Sequence, residues 1–172
     1  MCAAALAAAP AASAVKRLVN RQAVGRTAAG ATWGQIRNSP HEWGRGPYGF
    51  GKRFASGFGR HVIKTTIQGG VGALHHEELH YQRSNLQGTW PRLKYAVGST
   101  FWVPRTNRAG HTVALGRISG NMGAGMISRA WQPASTAGLG AGVASGGIGI
   151  AGDVGIHVAH EFWPRHRRRI AR

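Results

Sequence analysis

The 172-residue sequence is poor in cysteine, in acidic residues and in large aliphatic side chains. Its single cysteine, Cys2, excludes an internal disulfide and any zinc or iron–sulfur site that needs several cysteines. Five aspartates and glutamates stand against 22 lysines and arginines, which gives a formal net charge of +17. We therefore expect the chain to be attracted to polyanions, either nucleic acid or the head groups of anionic lipids.

Large apolar side chains are scarce: leucine, isoleucine, valine and phenylalanine supply 33 residues, whereas glycine alone supplies 27. This low number of large apolar residues excludes a large aliphatic core. Long helices that pack through small faces remain compatible with this composition, because glycine and alanine let two backbones approach closely. The length predicts one domain rather than several.

Three parts are predicted along the chain. Residues 1–37 are assigned to a leader, because Ala12-Ser13-Ala14 fits the small-residue pattern that precedes signal-peptide cleavage. A disordered alanine-rich leader and a transit peptide are the alternatives, the second because residues 1–41 contain five basic residues and no acid. Residues 38–164 are assigned to a single helical domain and residues 165–172 to a basic C-terminal tail.

Apolar periodicity predicts a mainly α fold, a compact bundle of about four glycine-rich helices with small-xxx-small packing. The predicted helical segments are 48–74, 91–103, 112–131 and 136–163. The first shows the clearest period, since phenylalanines recur at every fourth position from 50 to 58. We expect its basic residues Lys52, Arg53, Arg60 and Lys64 on the exposed side.

The fourth segment is unusually low in charge. Gly138, Gly142 and Gly146 form a row at helical spacing, and Asp153 is the one charged residue between positions 137 and 156. A stretch of about 20 residues of low charge is long enough to span a bilayer. Because the glycines cost backbone entropy in a helix, this segment is expected to pack tightly, either against other helices or within a membrane.

One motif points to metal chemistry: residues 76–80, His-Glu-Glu-Leu-His, match H-E-x-x-H. On a helix, His76 and His80 would bind one Zn²⁺ and Glu77 would activate a bound water as a general base. His157 and Glu161 lie on one face of the fourth predicted helix and are the candidate further ligands. Zinc is the one cofactor that this pattern suggests.

Several features favour a structural role for the same residues. The third histidine of the longer zinc motif is missing, since arginine stands at position 83 and leucine at 86. The motif also lies where the first helix is expected to end, so its side chains would face water. On the fourth helix, Asp153, His157 and Glu161 can form pairs four residues apart without any metal.

Nucleic-acid binding is a further alternative, because arginines alternate along the chain with six tryptophans. Exposed aromatic rings beside arginine can stack on single-stranded bases. No helix-turn-helix, RNP-type or zinc-finger pattern accompanies them. Core or interface packing is the expected role of most of these rings.

Short motifs spread over residues 38–164 resemble those of a family of exported bacterial proteins of unknown function, often bearing signal peptides. In that family the segment corresponding to His76-Glu77 is commonly followed by proline, so His80 is a departure that weakens the zinc hypothesis. The resemblance implies an exported, envelope-associated helical protein, and it transfers no activity and no catalytic residue. The motifs are NSPHEWG (38–44), GKRFAS (51–56), GALHHE (72–77), WPR (90–92), ISRAWQP (127–133) and EFWP (161–164).

The sequence therefore favours a non-enzymatic helical protein of the cell envelope, membrane-associated or periplasmic, with a structural or interaction role. Its expected partners are an anionic lipid surface, another envelope protein or further copies of the chain, ahead of nucleic acid. The alternatives are a zinc-dependent hydrolase acting through Glu77 and an arginine-rich nucleic-acid-binding protein.

Overall fold

The computed structural model describes residues 20–78, 80–107 and 109–163. Helices take up 73% of these residues, which confirms the prediction of a mainly α-helical protein. The α-helices are α1 (Arg21–Ile36), α2 (Pro47–Leu74), α3 (Thr89–Phe101), α4 (Leu115–Ile127) and α5 (Leu139–Phe162). Short 3-10 turns lie at His41–Trp43, Ser128–Trp131 and Ala134–Thr136.

Helix α4 lies between α2 and α5 and runs antiparallel to both. Its first half faces the C-terminal half of α2, where Gly116 lies against the backbone of Gly72. Its second half faces the start of α5, where Gly125 lies against the backbone of Gly142 and Gly146. Helix α1 packs on α2, and α3 packs on α5. The C-terminal ends of α2 and α5 therefore lie at the same end of the bundle.

Helix α1 packs on α2 ahead of residue 38, where the sequence placed the start of the helical domain. The residues predicted as a leader, 1–37, include this helix, which begins at an Asn20 cap whose side chain accepts a hydrogen bond from the Ala23 N–H at 2.7 Å. Ala23 and Ala31 are buried. The helical part of the chain thus begins before residue 38. The signal-like motif at 12–14 and the basic tail at 165–172 lie outside the described residues.

A small hairpin interrupts the predicted helical pattern. Strands β1 (Trp102–Pro104) and β2 (His111–Val113) pair antiparallel, with Val103 opposite Thr112. The second predicted helix therefore ends two residues earlier, at Phe101, and the third begins later, at Leu115. Strands of three residues carry too few side chains for a period of two to show in the sequence.

The interior is built from small and polar residues. The buried apolar side chains of the described residues are alanines and one valine, Val103. The largest fully buried side chains are Glu161 and Thr100. Arg53, predicted on the exposed side of α2, is only 6% exposed. Its guanidinium lies among backbone carbonyls of residues 39–44, to which it donates hydrogen bonds, so backbone oxygens and not water satisfy its charge.

Candidate functional site

The H-E-x-x-H segment leaves the helix before the motif begins. Helix α2 ends at Leu74, and His76 has a φ of +53°, in the left-handed region. Glu77 then forms an isolated antiparallel bridge with Arg105. Because His76 and His80 are not on one helical turn, the backbone does not give them the spacing that the zinc hypothesis requires.

Glu77 is buried and serves the next helix. Both of its carboxylate oxygens accept from the backbone N–H of Gly116, at 3.1 and 3.0 Å. Gly116 is the second residue of α4, and the residue before that helix, Ala114, has no side-chain cap. The Glu77 carboxylate thus satisfies a free N–H at the helix start and is stabilised by the helix dipole. This contact gives Glu77 a structural role, and its role as a general base stays a prediction.

Replacing Glu77 with alanine is expected to lower the free energy of unfolding by about 2 kcal/mol, because the Gly116 N–H would stay buried without an acceptor. Thermal or denaturant unfolding of the purified protein measures this change. The neighbouring Glu78→Ala is the matched control, since Glu78 pairs with His80 near the surface. Equal effects of the two substitutions would contradict the capping role.

The other predicted ligands, His157 and Glu161, belong to hydrogen-bonded contacts around α5. Glu161, 1% exposed, accepts from Tyr81 Oη at 2.7 Å and from Arg92 Nε at 3.0 Å. It also accepts from the backbone N–H of Ser84 at 3.1 Å and from its Oγ at 2.5 Å. A carboxylate with so many donors acts as an anchor that fixes the loop of residues 80–88 to the end of α5.

His157 lies one turn before Glu161 and is also buried. Its Nδ1 lies 3.0 Å from the Thr100 Oγ1, and its ring stacks on Tyr81 with a centroid distance of 4.5 Å. Burial, and then the hydrogen bond to Glu161, raises the pKa of the Tyr81 phenol above its usual value. Tyr81 therefore stays protonated and donates to Glu161 at any pH near neutrality.

The structure does not bring the four predicted metal ligands together. His157 and Glu161 contact Tyr81, while His76 lies beyond the end of α2 and His80 pairs with Glu78 at 3.2 Å. Within residues 20–78, 80–107 and 109–163, no three histidine, cysteine, aspartate or glutamate side chains are grouped so that they could hold a metal ion. The described geometry thus offers no site for the zinc that the motif suggested.

A charged contact lies inside the bundle where α2, α4 and α5 meet. Lys64 Nζ of α2 lies 2.6 and 2.8 Å from the two carboxylate oxygens of Asp153 in α5. Asn121 of α4 donates to the same carboxylate at 2.8 Å. The one charge in the low-charge stretch of the fourth predicted helix is therefore paired and partly buried between helices.

The outer face of α5 is apolar over most of its length. From Leu139 to Ala159, every exposed residue of this helix is glycine, alanine, leucine, valine or isoleucine. Ile148, near the middle, is 72% exposed, and Val143 is 54% exposed. Helix α5 is the one described helix that is long and apolar enough to cross a membrane. Its 24 residues are about 36 Å long, compared with about 30 Å for a hydrocarbon core.

All six tryptophans lie at or beside helix ends, and five of them are exposed. One group surrounds the end of the bundle where α2 and α5 begin, as the hydrogen bond from Trp131 Nε1 to the Ser56 Oγ shows. The other group surrounds the end where α2 and α5 finish, next to the hairpin and to Glu161. The first group is Trp33, Trp43 and Trp131, and the second group is Trp90, Trp102 and Trp163.

No protein-family model, no curated protein and no solved structure matches the chain. The function is therefore inferred from the distribution of polar and apolar residues in the fold. The prediction of nucleic-acid binding stays a prediction, although cations lie over the rings of two exposed tryptophans: Arg37 over Trp33, and Lys94 Nζ at 5.3 Å from the ring centre of Trp90.

Proposed function

We propose that the protein is a membrane-associated helical protein of the cell envelope, with a structural or interaction role and with the outer face of α5 in contact with lipid. The observation that carries this proposal is the inverted polarity of the bundle. Its buried residues include Arg53, Arg117 and Glu161, while 18 large hydrophobic side chains of the described residues are exposed. In water, an exposed apolar helix face of this length would promote association.

The position of the tryptophans supports the same proposal. In membrane proteins, tryptophan and tyrosine gather at the two interfaces between lipid and water. Here three tryptophans lie at each end of a bundle whose long helices match the thickness of a bilayer. The net charge of +17 would add attraction to anionic head groups. The resemblance to exported bacterial proteins fits an envelope location.

Fractionation of the tagged protein, with a carbonate wash of the membrane pellet, tests the proposal. We expect the wild type to stay in the washed pellet and Ile148→Lys to be released into the soluble fraction or lost to aggregation. A lysine at the centre of a membrane-spanning helix costs about 2.5 kcal/mol or more. Ile148 is near the middle of α5 and is 72% exposed, at the rim of a cavity among α1, α2, α4 and α5.

Leu86→Lys is the control, since Leu86 is also exposed but lies in the loop before α3. It adds the same charge and is expected to leave the protein in the pellet. Complete release of the wild type by carbonate would contradict contact with lipid. Size-exclusion chromatography of that soluble form would then show whether another copy of the chain covers the face of α5.

A further inference from the structure

A cavity of about 650 Å³ lies among α1, α2, α4 and α5. Small residues form its sides, among them Ala31 of α1 and Ala144 of α5. This volume falls in the range of about 300–1,000 Å³ that is usual for small-molecule sites. It is separate from the contacts of Glu161 and His157, which lie near the other end of α5.

The cavity is strongly basic. Arg26, Arg60 and Lys64 line it, and among the described residues no aspartate or glutamate does. Lys64 is paired with Asp153, but Arg26 is near enough to Lys64 for the two positive charges to repel each other. The cavity therefore holds more positive charge than its surroundings neutralise, which favours an anionic occupant.

Arg60 is the residue that most clearly lacks a partner. Its Nε is buried and has no hydrogen-bond acceptor among the described residues. Within the described part of the chain, its one hydrogen bond is a long one, 3.3 Å from Nη2 to the backbone carbonyl of Ser145. A buried donor of a charged group costs free energy when it is left unpaired, so such a group commonly marks the place of a bound water or ion.

Two other arginines in the cavity are already occupied and serve as a contrast. Arg53 donates to the carbonyls of Ser39, Pro40 and Gly44 and to the side chain of Gln35. Arg129 Nε donates to the carbonyl of Ala137 at 2.5 Å. Backbone and side-chain oxygens thus satisfy Arg53, and the Nε of Arg129 has an acceptor, whereas the Nε of Arg60 has none among the described residues.

We propose that this cavity binds an oxyanion, a phosphate group, with Arg60 as its central contact and Arg26 as a second one. The planar guanidinium suits the oxygens of a phosphate because its N–H groups form a fork. The phosphate comes either from a small soluble molecule or from a lipid head group. The inference goes beyond the proposed membrane role and does not depend on it, since it rests on the basic residues that line the cavity and not on contact with lipid.

The test uses the full chain, purified in detergent, and titrates it with inorganic phosphate and separately with phosphatidylglycerol in mixed micelles. Calorimetry or a shift in unfolding temperature reports binding. We expect Arg60→Gln to weaken binding of the effective probe by about tenfold to a hundredfold, the effect of losing a charge-assisted hydrogen bond. Arg105→Gln, in the exposed turn after β1, removes the same charge outside the cavity and is expected to change binding little.

Arg26→Gln is the second variant, because Arg26 is exposed and its replacement is not expected to disturb folding. If inorganic phosphate binds and both cavity variants weaken that binding, the ligand is a soluble phosphate. If only phosphatidylglycerol binds, the ligand is a lipid head group. Binding of neither probe, or equal losses in Arg60→Gln and Arg105→Gln, would overturn the proposal. The two proposals can also be separated. If carbonate releases the protein from membranes but binding still depends on Arg60, the anion site is supported and the membrane role is contradicted.

Discussion

Gly125→Ala is expected to destabilise the bundle by about 3 kcal/mol, because the added methyl group has no room between α4 and α5. A Cβ at this position would lie 2.5 Å from the carbonyl oxygen of Gly142 and 2.8 Å from the backbone nitrogen of Gly146. Both are backbone atoms, so no side-chain rotation can relieve the contact. The two helices would have to move apart along their contact.

The matched control is Gly147→Ala in α5, where a Cβ would meet no atom within 4 Å. Both substitutions replace a helical glycine with alanine and gain about 1 kcal/mol of helix propensity. We therefore expect Gly147→Ala to raise the unfolding temperature and Gly125→Ala to lower it. Unfolding curves measured in the same detergent compare the two, and a neutral result at Gly125 would mean that the helices are not in close contact there.

The long helices could be predicted from the sequence because their signals are local. Pro47 stands at the first position of α2, where proline is favoured because its fixed φ suits the first turn of a helix. The phenylalanines from 50 to 58 repeat over two turns, and neighbouring rings lie 6.5 and 6.3 Å apart. The end of this helix at Leu74 also agrees with the predicted segment. Such features depend only on residues within a few turns of each other.

The role of the H-E-x-x-H residues could not be predicted in the same way. The motif fixes three residue types within five positions but not the backbone, and here the backbone turns at His76. The partner of Glu77 is Gly116, which is 39 residues further along the chain. A single sequence contains no signal for a contact over that distance, so the capping role became visible only in the fold.

The rows of glycines at helical spacing were predicted from that spacing alone. In the structure, glycines of the same helix have different neighbours. A Cβ at Gly142 or Gly146 would lie less than 3 Å from side-chain atoms of α4 and of the turn after it, whereas a Cβ at Gly138 or Gly155 would meet nothing within 4 Å. The period of a row does not tell which of its members faces another helix. That depends on where α4 crosses α5, and the crossing is set by contacts between distant segments.

Glu161→Ala is expected to have the largest effect of all, a loss of about 3–5 kcal/mol, since it removes the buried carboxylate of an ion pair, which accepts four hydrogen bonds. The pair is Glu161 with Arg92, whose guanidinium also donates to the Glu161 backbone carbonyl. Without the carboxylate, the Tyr81 hydroxyl and the Ser84 N–H lose their acceptor as well. We expect the loop of residues 80–88 to separate from α5.

Limited proteolysis of that loop, followed together with thermal unfolding, measures both consequences. Glu161→Gln keeps a side-chain acceptor but loses the charge, so it is expected to recover part of the stability. His160→Ala is the control on the same turn, because His160 is exposed. Faster cleavage in Glu161→Ala, but not in His160→Ala, is the expected pattern. If the two variants were cleaved and unfolded alike, the buried carboxylate would not be the anchor of this end of the bundle.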